Sequence, residues 1–117
     1  MATLKDPQIL QCFKNALANW RYDGFTTLTD VAADWLDNEF PGATPRDLAH
    51  LMHGYLSTGG VIDQQKETRR EWTTHDYHYD FRIPYAGRTL YIESRLICEK
   101  LDDSDDPIIH VVNIHDA

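Results

Sequence analysis

The sequence has few of the devices that stabilise very small domains by covalent or metal chemistry. Its two cysteines, Cys12 and Cys98, lie far apart and in no metal or redox spacing, so they point to neither a disulfide framework nor a thiolate metal cluster. Both read as reduced, partly buried thiols. No apolar run approaches the ~20 residues needed to span a bilayer. Met1 leads into polar residues and an amphipathic pattern, without the basic and apolar regions of a secretory signal. The expectation is a cytoplasmic protein with no membrane contact. Positive charge is also scarce: 11 Lys plus Arg stand against 19 Asp plus Glu, a net charge of -8 with neutral histidines. That balance disfavours a general electrostatic grip on nucleic acid or an anionic membrane, but leaves room for a local basic patch. A helical HExxH, a glycine-rich phosphate loop, a dinucleotide fingerprint and a Ser/His/Asp or Cys/His nucleophile arrangement are all missing.

What the chain has in quantity is aromatic side chains. Three Trp, six Tyr and four Phe are spread along 117 residues, enough to anchor one core and too little chain for two. Residues 1–117 therefore form a single domain. Asp6-Pro7 supplies a capping side chain and a proline at the first helical position, followed by Ile9, Leu10, Phe13, Ala16, Leu17 and Trp20 three or four apart. Asp23-Gly24 stops this helix. A second helix from about Thr29 to Phe40 should bury Val31, Ala32, Trp35 and Leu36 and expose Asp30, Asp34, Asp37 and Glu39. Thr44-Pro45-Arg46-Asp47 opens a third with a buried stripe of Leu48, Leu51, Met52, Tyr55 and Leu56, closed by Gly59-Gly60.

After Gly60 the period falls to two. Val61-Ile62 offers a short strand, and Gln64 to Arg70 reads as a polar loop or an exposed strand. Tyr77 to Ile83 alternates cleanly, Arg88 to Ile97 returns after Ala86-Gly87, and Ile108 to His115 is a last strand beyond an acidic connection. The expected fold is α+β, with three N-terminal helices (6–58) packed on a C-terminal three- to four-stranded antiparallel meander (61–115).

A two-residue turn at Ala86-Gly87 pairs residues whose numbers sum to 173. Ile83–Leu90, Phe81–Ile92, Tyr79–Ser94 and Tyr77–Leu96 then share an apolar face that packs on the helices. The other face pairs Arg82 with Tyr91, Asp80 with Glu93 and His78 with Arg95. Directly opposed carboxylates repel unless a cation neutralises them, and Arg82 and Arg95 stand diagonally placed to do so. An antiparallel sheet with one wet face alternates in this way, so exposure to water is the plain expectation for this surface. The same six residues, His78, Asp80, Arg82, Tyr91, Glu93 and Arg95, are nevertheless a kit for metal-free acid–base and phosphate chemistry, and form the candidate catalytic set. Other patterns point nowhere comparable. His75 and His78 with His110 or His115 could meet around zinc, and His50 and His53 share a helix face, but no ligand motif frames either group. No metal and no cofactor is expected.

Gln65-Lys66-Glu67-Thr68-Arg69-Arg70, followed by strands over Tyr77 to Ile83, Thr89 to Ile97 and Ile108 to His115, resembles the MqsR and RelE-like toxin endoribonucleases over about residues 45–115. The resemblance is one of layout, without a shared diagnostic motif. It implies metal-independent cleavage of messenger RNA by Lys, Arg, Tyr, Gln, Glu or His side chains on and around a small antiparallel sheet. Those enzymes are usually basic, whereas this chain is acidic; residues 64–95 alone carry six Lys plus Arg and five acids. RNA could therefore be met only through the sheet face. The overall charge favours a different reading, a protein-binding module of immunity or antitoxin type that masks a basic partner. Its contact surface would be the second helix together with Asp102, Asp103, Asp105 and Asp106. A third reading takes Thr29 to Tyr85 as a winged-helix DNA-binding unit, although Arg46, Asp47, His50 and His53 make a poor reading face. An exposed Tyr-rich edge strand would also offer a second copy a surface to pair with, giving a homodimer.

Overall fold

The computed structural model describes residues 2–68, 77–97 and 107–117. Strand β1 (Ala2–Thr3) precedes helix α1 (Pro7–Ala18), strand β2 (Thr26–Leu28), helix α2 (Asp30–Glu39) and helix α3 (Pro45–Ser57). Strands β3 (Asp63–Lys66), β4 (Tyr77–Tyr85), β5 (Arg88–Ile97) and β6 (Ile108–Asp116) complete the chain.

The helix starts follow from local chemistry. Asp6 accepts hydrogen bonds from the backbone N–H of Gln8 and Ile9 at 2.9 and 3.3 Å, satisfying donors that the first turn leaves without partners. Thr44 and Asp47 form a reciprocal capping box at the start of α3. The N-cap of α2 is tied to the sheet as well, because the Thr29 N–H and hydroxyl donate to the carbonyls of Val111 and Val112 at 2.9 Å each. Past α3 the chain turns at Gly60, where a Cβ would lie 2.6 Å from the Tyr55 ring. A side chain there would displace that ring, whose hydroxyl donates to the Val61 carbonyl at 3.1 Å.

The strands form one mixed sheet in the order β1-β3-β4-β5-β6-β2. Five strands have three residues or more and the two-residue β1 closes one edge. The α+β class holds, but the expected three- to four-stranded meander is too small and too simple. β2, from the helical half, pairs parallel to β6 through Thr26–Ile109, Thr27–His110 and Leu28–Val111. Three residues carry too weak a pattern to announce a strand; only the neighbouring β6 ladder makes β2 one. The polar stretch after Asp63 is likewise an interior strand, antiparallel to both β1 and β4. β4 thus lies between β3 and β5, and the Tyr-rich strand expected at an edge is interior.

The hairpin register is as the turn dictates, with seven pairs from Tyr79–Ser94 to Tyr85–Arg88. Ala86 and Gly87 have φ of 53° and 79°, as the tight two-residue turn requires. The outer expected pairs, His78–Arg95 and Tyr77–Leu96, lie outside this ladder, which stops where a register shift at Glu93/Ser94 interrupts the β5–β6 pairing. One sheet face carries the core. Phe13 meets Tyr79 and Phe81 edge-on at 5.1 and 5.8 Å, and Leu17, Met52, Ile92, Ile109 and Val111 pack in the same cluster. Val31, expected inside, is 63% exposed, because Ala32 and Leu36 take the inward stripe of α2. Tyr77 at the start of β4 is also exposed. Among the described residues no helix is long and apolar enough to cross a membrane.

Candidate functional site

The face of the sheet away from the helices gathers polar side chains in rows. Asp63, Asp80, Glu93 and Asn113 align across β3, β4, β5 and β6. Beside them Gln65 pairs with His78 on one flank, and Arg95 with His110 on the other. Arg82, Tyr91 and His115 form the neighbouring row. Strand pairing alone thus brings five of the six expected residues, His78, Asp80, Arg82, Tyr91 and Glu93, onto one patch, and Arg95 joins through its bond to Glu93.

The patch is not the wet surface that alternation suggests. Asp80 is 1% exposed, Glu93 7% and Arg95 0%. Buried charge is tolerated only when paired and hydrogen-bonded, and the pairing is dense. Asp80 accepts at Oδ1 from His78 Nδ1 at 2.8 Å and at Oδ2 from the Tyr91 hydroxyl at 2.6 Å. Arg95 donates to Glu93 Oε2 at 3.1 Å and pairs with the buried carboxylate of Glu67. Arg82 donates to Asp63 Oδ2 at 2.8 Å and lies over the Tyr91 ring. On its other side Tyr91 stacks on His115, centroids 4.6 Å apart.

Asp63 was not among the candidate residues, and Gln65 and Glu67 entered only through the resemblance, yet all three border the same patch. Their spacing of two was the available signal, obscured by the surrounding charges. Among the described residues the histidines do not gather as the zinc hypothesis needs. His110 bonds the Thr27 hydroxyl at 2.7 Å, His50 stacks on Trp20, and His75 lies outside the described residues. His78 instead groups with two carboxylates: donor atoms of His78, Asp80 and Glu93 all lie within 4.8 Å of one another. Asp102, Asp103, Asp105 and Asp106 lie outside the described residues, as does Cys98, while Cys12 is buried.

A carboxylate only accepts hydrogen bonds, so the neutral form of His78 carries its hydrogen on Nδ1 toward Asp80 and presents Nε2 as an acceptor. The imidazole stays 17% exposed above a carboxylate fixed at both oxygens. Arg82, with 38% of its side chain exposed, lies over the ring of Tyr91, which in turn holds Asp80. The arrangement can take up a proton at His78 Nε2 and meet an anion at Arg82. On the helical side a separate groove of about 1270 Å³ is lined by Phe40, Leu51, Tyr55, Pro84 and Tyr85. Compared with known proteins, the chain matches no family model, no curated protein and no solved structure.

Proposed function

We propose that the polar sheet face is a metal-independent acid–base centre that cleaves RNA phosphodiesters in the cytoplasm. The observation that carries this reading is His78 oriented at Nδ1 by buried Asp80, which the Tyr91 hydroxyl holds in turn. A histidine fixed through one nitrogen by a carboxylate is positioned to move a proton with the other. RNA suits a site that sets a base beside a cation, because its own 2′-hydroxyl supplies the nucleophile. In the reaction His78 Nε2 takes the 2′-hydroxyl proton and the 2′-oxygen bonds to phosphorus. The bond from phosphorus to the 5′-oxygen then breaks, and water protonates the leaving 5′-oxygen. Arg82 faces the phosphate charge. Incubating the purified protein with a mixed RNA pool in EDTA tests the reading: products ending in 2′,3′-cyclic phosphate are expected, and His78→Ala should remove them without unfolding the protein. An intact pool with the wild-type protein defeats it.

A second reading, a binding module for a basic protein, is favoured by one surface. α2 carries Asp30, Asp34, Asp37 and Glu39 with no basic residue, all exposed, around the protruding Val31. Such a stripe steers a cationic partner. Replacing Asp30, Asp34 and Asp37 by Asn should abolish salt-sensitive capture of that partner while leaving RNA cleavage intact.

A further inference from the structure

We propose that His78, Asp80 and Glu93 form a binding site for one divalent transition-metal ion of the zinc class. Three features of the cluster support this. First, the donors come from adjacent interior strands locked in register, Asp80 directly opposite Glu93 and His78 two residues along β4. The site is therefore set by the ladder and not by a loop. Second, the donor atoms lie within 4.8 Å of one another, and His78 Nδ1 and Asp80 Oδ1 are already 2.8 Å apart. Ligands about 2.0–2.2 Å from a tetrahedral ion stand roughly 3.3–3.6 Å from each other, so closing the third donor in needs a side-chain adjustment of about an ångström. Third, each carboxylate is oriented by a further donor: the Tyr91 hydroxyl holds Asp80 Oδ2, and Arg95 Nη1 holds Glu93 Oε2. Ligating carboxylates are commonly steered by such outer hydrogen bonds.

The charges are compatible. Asp80, Glu93 and Glu67 against the buried Arg95 leave two negative charges, which a divalent ion cancels, and burial of Asp80 and Glu93 makes that cancellation effective. The mixed nitrogen and oxygen donors favour zinc over magnesium, which prefers oxygen and keeps its water. The ion takes the place of the hydrogen between His78 and Asp80. The hydrogen on Nδ1 is lost to solvent while Nε2 takes one up, so the imidazole changes tautomer with no net proton release, and the metal–nitrogen bond forms at Nδ1. Zinc therefore removes the base used in the proposed RNA reaction and inhibits it. The metal site does not depend on that reaction being correct.

The test is calorimetric titration of the dialysed full-length protein with zinc chloride, with a thermal melt at each addition. One equivalent bound and a rise in melting temperature are expected, with magnesium chloride giving no comparable rise. His78→Ala and the near-isosteric Glu93→Gln should each weaken zinc binding by at least about tenfold, as should Tyr91→Phe through the orientation of Asp80. Arg82→Ala should bind zinc as the wild type does. Absence of a one-equivalent site in the folded wild-type protein overturns the proposal. So does zinc binding left unchanged in both His78→Ala and Glu93→Gln, which would place the ion on other histidines. These readouts need no RNA, so loss of the cleavage reading leaves them intact.

Discussion

Asp80 and Glu93 face each other directly across the β4–β5 ladder, and neither reaches solvent to any useful extent. Two carboxylates in that relation are tolerated because each has its own donors. Asp80 lies between His78 and Tyr91, and Glu93 against Arg95. The pair stays apart in chemistry while adjacent in space, and the polar face depends on that separation.

Removing Asp80 should therefore cost far more than removing a surface acid. Asp80→Ala leaves the His78 and Tyr91 donors without their shared acceptor and should destabilise the fold by roughly 3–5 kcal/mol, the usual cost of breaking a buried charged pair. His78→Ala, which leaves buried Asp80 the Tyr91 hydroxyl as a donor, should cost less, about 1–3 kcal/mol. Urea denaturation of the two variants side by side measures the difference.

The hairpin turn is improvable. Ala86 sits at φ 53°, a left-handed conformation that penalises a Cβ and favours Asn or Gly. Ala86→Asn creates an Asn-Gly turn and should raise stability by about 0.5–1 kcal/mol with no change in register. The denaturation midpoint reads the gain, and amide hydrogen exchange at Ile83 and Leu90 reads the register.

Next to the same turn, Arg88 binds Asp116 at 2.6 Å through two guanidinium nitrogens and Glu39 at 2.7 Å. The hydrogen bonds from Arg88 hold the Asp116 carboxyl below its usual value. A group depressed in the folded state stabilises the fold above its unfolded value, near 3.9 for Asp, and loses that contribution as pH falls through its folded value. Asp116→Asn should flatten the acid side of the stability curve below about pH 4 and leave the alkaline side unchanged. Because the pair is exposed, 0.5 M salt should shrink the wild-type effect, which denaturation from pH 2 to 7 would display.

In the core, Phe13 bridges helix and sheet by its contacts with Tyr79 and Phe81. Phe13→Ala should cost about 3–5 kcal/mol through lost burial and the cavity left behind. A calorimetric melt measures it, and the His78–Asp80–Tyr91 group on the opposite sheet face should keep its histidine chemical shifts.

The division between sequence and tertiary structure follows the range of the forces. Asp6, Thr44 and Asp47 cap helices through atoms two or three residues away, and Ala86-Gly87 sets the register of the strands on either side. Short-range geometry of that kind is present in the sequence itself. The contact of five of the six candidate side chains on one patch followed from the same register, whereas their burial did not. Alternation reads the same for a wet face and a covered one, and Glu67 reaches Arg95 only because β3 adds to β4. The parallel β2–β6 pairing was equally hidden, since three residues acquire a partner more than 80 positions away only when the helices between them have packed. The sequence determined which elements form and which residues the hairpin aligns. The tertiary structure decided which face of the sheet loses its water, and so turned a charged surface into a buried histidine–carboxylate centre.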